Sequence, residues 1–418
     1  MKIGIGVSDS FQRQAFLYIL IAGEAFAFTV WSALFKNFAV EAVGVDGLQN
    51  ALLETGRELP GFLAFTTVLL LAYIREQRLA LIAVLILGLG VAVTGWATTL
   101  TLLMGATIFN SIGFHYFYTV YKSLSLQWFD ERTTPLVLGR AVSVGNAAKV
   151  IGLGLFLILF WRYEVSYVVG YLAAGAIACL CVAIAWVGFP NFTVRTKQRQ
   201  EFVLRWRYGL YYILTFLSGA RRQIFIVFAT FILVDIFGLS VVQMLGLLLV
   251  NAGLNTATGL LLGPAINRYG ERLILQVEYV GLFLVFLTYG LALSMSHAPW
   301  ALPLVIGLYI VDHILFQFAI GMESYFKKIA DPQDLAGSAA VSFSINHIAA
   351  VTLPPLLGLL YISTSPGTSD TGVAADFLIS GPTLVFWVGA GLAAASFIAS
   401  CYMRLNPISQ SSAAKESG

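Results

Sequence analysis

Apolar residues gather into long runs parted by short polar breaks, and each run is near the ~20 residues that cross a bilayer as a helix. The runs cover 13–42, 47–74, 79–95, 100–129, 135–161, 166–188, 208–237, 241–266, 273–295, 301–326, 335–362 and 382–402. That makes twelve, in two sets of six. Residues 1–190 hold the first set and 207–405 the second, with a basic, polar linker over 191–206 and a small, polar, disordered tail over 406–418. The fold class this predicts is an all-α membrane protein, with twelve transmembrane helices in two six-helix pseudo-repeats.

The second set repeats the first. At a shift of 194 positions Arg13 meets Arg207, and Tyr18, Ile19 and Leu20 meet Tyr212, Ile213 and Leu214. Val40, Gly44 and Gln49 meet Val234, Gly238 and Gln243, while Glu41 meets Asp235. Apolar composition alone would not keep Arg, Tyr, Gly, Gln and an acid in one register. At a shift of 198, His115 meets His313 and Lys149 meets His347. A duplicated hydrophobic unit of this length points to a transporter with internal repeats.

Composition agrees. Hydrophobic residues make up 59% of the chain and charged residues 11%, with mean hydropathy +0.84; a soluble domain carries about 25% charged residues. With both termini inside, Arg75, Arg78, Arg132, Arg195, Lys197, Arg199, Arg205, Arg268, Arg272, Lys327 and Lys328 all fall on the inner side, and Arg162 alone among Lys and Arg falls in an outer loop. This is the positive-inside pattern, expected in a bacterial inner (plasma) membrane with both termini cytoplasmic. The basic linker suits anionic lipid headgroups rather than nucleic acid. Residues 1–12 lack a signal peptide's basic start and long apolar run. The three cysteines lie in apolar runs and suggest neither a disulfide framework nor a metal site. No cofactor is expected.

Seven basic residues stay inside the spans: Lys36, Arg57, Lys122, Arg140, Lys149, Arg221 and Arg222. A charge at bilayer depth is expensive and must face protein or water. Near mid-span lie Glu24, Arg57, Glu58, His115, Lys149, Arg221, Arg222, Asn251, Asn255, Asp312, His313 and His347. Arg57, Lys149, Arg221 and Arg222 can bind an anionic or strongly hydrogen-bonding group, and arginine suits a carboxylate or phosphate because its fork bonds bidentately. His115, Asn251, His313 and His347 complete the candidate solute-binding set. Glu24, Glu58 and Asp312 are candidates to carry a coupling proton; Glu24 and Asp312 could equally be structural partners of the arginines, and Glu58 could belong with Glu54 and Arg57 to a buried structural network. The cations and acids nearly balance, so an anionic solute is only a lean. Pro60, beside Arg57 and Glu58, should weaken its helix and free backbone carbonyls.

The pattern of twelve spans, two six-helix repeats and a basic central loop resembles the major facilitator superfamily. After the eighth span the chain reads Gly263-Pro-Ala-Ile-Asn267-Arg268-Tyr-Gly270-Glu271-Arg272, which is similar to that family's cytoplasmic signature. Asn267 stands where the signature has an acid. The resemblance implies a cytoplasmic gating loop at Gly263, Asn267, Arg268, Gly270 and Arg272, alternating access of two halves about a central site, and a monomer. It also implies that the third, sixth, ninth and twelfth spans face lipid; these are the spans nearly empty of embedded charge, with Glu278 the exception near one end. The signatures of drug antiporters and sugar porters are missing.

The reading is a proton-coupled secondary transporter of a small polar solute, with the lipid bilayer as its surroundings. The alternatives are a drug/proton efflux antiporter, or a receptor or assembly factor that does not transport. No metal-ligand spacing, nucleotide loop or nucleophile–base grouping suggests an enzyme.

Overall fold

A computed structural model describes residues 9–71, 73–129, 133–192, 204–331, 335–362 and 380–403. The tail and most of the 191–206 linker lie outside the described residues. All the predicted runs are helical. In chain order they are α1 (Asp9–Phe38), α2 (Gly47–Phe62), α3 (Glu76–Thr94), α4 (Leu100–Trp128), α5 (Thr134–Tyr163) and α6 (Tyr167–Gly188). The second set is α7 (Gly209–Ile224), α8 (Val241–Tyr269), α9 (Glu271–Ser294), α10 (Ala301–Phe316), α11 (Leu335–Ile362) and α12 (Gly381–Cys401). Among the described residues, 10 helical stretches are long and apolar enough to span a membrane. The other two are α2, with Arg57 and Glu58 in it, and α4, with Asn110, Ser111 and His115.

Helix pairing repeats with a period of six. In the first set α1 packs on α5 and α6, and α3 packs on α4 and α6; in the second, α7 packs on α11 and α12, and α9 on α10 and α12. The glycines that matched in sequence also match in backbone: Gly44 holds φ +73° and Gly238 φ +65°. Gly44 follows the π-helical turn Ala39–Val43 that prolongs α1, and Gly238 follows the helical segments Phe225–Ala229 and Thr230–Asp235 that prolong α7; both hold the left-handed conformation that glycine adopts without a Cβ penalty. The acids beside them are both held by tyrosine hydroxyls. Tyr167 donates to Glu41 at 2.7 Å, and Tyr361 to Asp235 at 3.5 Å.

The same economy appears at the starts of α3 and α9. Glu76 accepts from Ser123 Oγ at 3.2 Å and Gln127 Nε2 at 3.0 Å. Glu271 accepts from Ser324 Oγ at 2.7 Å and pairs with Lys328 Nζ at 2.6 Å. In each case an acid at a helix N-terminus, where the helix dipole favours negative charge, is gripped by two side chains four residues apart.

The chain forms two compact units. The first contains Met1–Asp46, Gly56–Arg199 and Gly238–Ala252; the second contains Gly47–Thr55, Gln200–Phe237 and Gly253–Gly418. The start of α2 therefore belongs with the second set of helices and the start of α8 with the first. Side chains seal both exchanges. In the second unit Asn50 Nδ2 donates to the Val227 carbonyl at 2.8 Å, and in the first Asn37 Nδ2 donates to the Leu239 carbonyl at 2.8 Å.

Candidate functional site

In the first unit the polar residues come from α1, α2, α4, α5 and the start of α8. Arg57 Nη2 lies 2.6 Å from Glu58 Oε1, and both side chains are largely buried. Pro60 sits inside α2, and the helix passes into a 3₁₀ turn over Leu63–Thr66. The Arg57 carbonyl takes a short hydrogen bond from the Ser111 hydroxyl on α4. Ser111 also fixes His115. The ring Nδ1 lies 3.0 Å from the Ser111 carbonyl and 3.0 Å from its Oγ. A carbonyl only accepts, so Nδ1 carries the proton and Nε2 is the acceptor of the neutral ring. Glu24 on α1 is half-buried, and Lys149 on α5 is exposed and close enough to act on it electrostatically. Asn251 is buried, and neither its amide nitrogen nor its oxygen has a hydrogen-bond partner among the described residues.

In the second unit the deepest group is an ion pair. Arg221 Nη2 lies 2.7 Å from Glu278 Oε1, with the two side chains 2% and 0% exposed. The sequence placed Arg221 among the solute-binding residues and left Glu278 on a lipid-facing helix. The structure instead turns Glu278 inward, because a carboxylate on an otherwise apolar helix needs a counter-charge. Its isolation in α9 was the signal. Asp312 on α10 is also buried and lies within electrostatic reach of both partners.

The neighbouring Arg222 points elsewhere. It is exposed, with its guanidinium 5.1 Å from the Phe316 ring centre, and it acts electrostatically on His313. The ~100° between successive residues on a helix separates the two arginines. His313 Nδ1 donates to the Tyr309 carbonyl at 2.9 Å, and His347 Nδ1 to the Phe343 carbonyl at 2.9 Å. All three mid-depth histidines thus share one device, an Nδ1–H tied to the carbonyl four residues back. One turn beyond His313, Gln317 donates both amide hydrogens, to Asn255 Oδ1 at 2.8 Å and Thr258 Oγ1 at 2.7 Å.

The family model of the Major Facilitator Superfamily matches residues 16–322. The chain belongs to the major facilitator superfamily. It is a secondary transporter of that family, an integral multi-pass membrane protein with a small-molecule substrate, and not an enzyme. No curated protein sequence matches it. Solved structures of superfamily transporters share its fold. A point mutant of the nucleoside transporter NupG is 15% identical with a TM-score of 0.72, covering 94% of this chain and 99% of that one. A bacterial homologue of the human lysosomal transporter Spinster, in an inward-facing and occupied conformation, is 14% identical with a TM-score of 0.70, covering 94% and 97%. A bacterial homologue of the iron transporter ferroportin is 14% identical with a TM-score of 0.69, covering 95% and 100%.

One superfamily element has a different shape from the one expected. The stretch from Gly263 to Arg268 is not a loop, because α8 runs on through Pro264 to Tyr269. Only Gly270 breaks the chain, at φ +80° and ψ 155°, before Glu271 opens α9. Gly263 and Pro264 read as breakers in sequence. A proline is tolerated inside a membrane helix, where neighbouring groups re-satisfy the freed carbonyl. Asn267 and Arg268 are therefore carried on the last turn of a helix, and Arg272 on the first turn of the next.

Proposed function

We propose that this chain moves a small polar solute by alternating access and couples that movement to protons. Asp312 carries the proposal. It is buried on α10 beside Arg221, whose charge Glu278 already matches. Among the described residues the one ion-pair partner found for Asp312 is His313, at 3.9 Å. Asp312 thus lies in the field of a guanidinium that another carboxylate already pairs, and a carboxyl without a cation of its own inside a membrane helix suits a group that takes up and releases a proton. Glu24, facing Lys149, is the first unit's candidate for the same work. Glu58 is not, because Arg57 holds it in an ion pair.

The lean toward an anionic solute weakens for the same reason. Arg221 and Arg57 are each matched by a carboxylate. Helices of this fold carry solutes as different as those named for its structural neighbours, so the solute must be argued from this chain's residues. We place both termini in the cytoplasm on the strength of the basic inner loops, with the chain working as a monomer.

The test does not require knowing the solute. The protein is placed in liposomes loaded with a pH-sensitive dye and given a pool of low-mass cell solutes. Proton entry that follows the pool, and that falls to background with Asp312→Asn, is the expected result. Proton entry that is unchanged in Asp312→Asn rejects the assignment. No solute-driven proton entry in wild type rejects proton coupling.

A further inference from the structure

We infer that the transported solute is neutral and rich in hydroxyl or N–H donors. This rests on the transporter reading above and assigns its substrate class.

Three of the embedded cations have carboxylates near them. Arg221 lies on Glu278 and Arg57 on Glu58, while Lys149 acts electrostatically on Glu24. A solute carboxylate that took either arginine would leave a buried protein carboxylate without counter-charge, which is strongly unfavourable. The arrangement selects against anions at both arginines.

What the second unit offers instead is a pair of acceptors. Gln317 has given both amide hydrogens to Asn255 and Thr258, so only Oε1 remains to make a further bond. His313 has given Nδ1–H to the Tyr309 carbonyl, so the neutral ring presents Nε2 as an acceptor. His313 lies in the last turn of α10, and Gln317, four residues on, opens the 3₁₀ turn Gln317–Ala319 that continues it. His313 is 31% exposed, so its ring is reachable. Two acceptors four residues apart repel a carboxylate or phosphate oxygen and bind two donors. In the first unit the buried amide of Asn251 has both donor and acceptor capacity without a protein partner among the described residues, a state that native structures normally relieve.

The test is thermal stability of the detergent-purified full chain against two sets of probes. D-ribose, mannitol and uridine are neutral and hydroxyl-rich; succinate, L-glutamate and glucose 6-phosphate are anionic. A ligand of the native state raises the melting temperature by mass action. At least one neutral probe should stabilise the protein, and no anion should do so at the same concentration. His313→Phe, which keeps a flat ring and removes the acceptor, should weaken that probe about tenfold. His313→Gln, which restores an acceptor, should recover most of the loss. Stabilisation by anions alone overturns the inference, and so does a neutral probe that binds His313→Phe as tightly as wild type. Absence of any shift also overturns it. Solute-driven proton entry in liposomes is read separately, so the substrate class can fail while transport stands.

Discussion

The guanidinium of Arg221 lies 2.7 Å from the carboxylate of Glu278, and neither side chain reaches solvent. Removing one partner of a buried pair strands the other charge and costs about 3–5 kcal/mol, whereas replacing both with apolar residues is often neutral. Glu278→Leu should therefore lower the melting temperature sharply in detergent. Arg221→Met with Glu278→Leu should restore most of it and keep solute binding. A double variant that stays stable but no longer binds would return Arg221 to the solute site.

Asp312→Asn separates exchange from accumulation. The amide keeps the size and hydrogen bonding of the acid but holds no transferable proton. In liposomes the variant should still exchange solute across the membrane, while accumulation driven by a pH gradient falls to equilibrium. Equal losses of both would mean that Asp312 serves the fold or the solute rather than the proton.

Ser111 links two helices through the Arg57 carbonyl and the His115 ring. Ser111→Ala removes the donor to that carbonyl at a cost of about 1–3 kcal/mol if the carbonyl is left unsatisfied. A drop in melting temperature, with Ser111→Thr retaining more stability than Ser111→Ala, is the expected order. Equal stability of all three proteins would show that the bond contributes nothing.

Gly270 holds φ +80° and ψ 155°, a region that side chains rarely adopt. Gly270→Ala should cost about 1–3 kcal/mol. Gly263→Ala lies within α8, where an added Cβ meets nothing within 4 Å, and should leave stability unchanged or raised. The contrast, read from melting curves of the two variants, tests the placement of the helix end.

The orientation is testable by fusion. A fluorescent protein added after Gly418 should fold and fluoresce in cells, while alkaline phosphatase at the same place should stay inactive. The reverse pattern would invert the topology.

The helices and their repeat were legible because apolar run length and register survive without tertiary knowledge. Gly44 and Gly238 were readable as a matched pair, and both hold positive φ. Pairing was less legible. Glu54 and Glu58 stood within one helix turn of Arg57, and only the structure brings Glu58 to 2.6 Å from it. The partner of Glu278 was not legible, because a period of 3.6 says which residues share a face but not which neighbour the face meets. The histidine tautomers were invisible, since they depend on the carbonyl each ring happens to reach.

The exchange of segments bears on how such a chain arose. Gly47–Thr55 belongs to the second unit and Gly238–Ala252 to the first. Had the ancestor been a six-helix protein, two copies would each have lent the beginning of a second helix to the other, an arrangement resembling a domain-swapped dimer. Gene fusion would then have joined partners already dependent on one another. A gene split within the linker should accordingly yield little stable product from either piece alone and recover when both are made in the same cell.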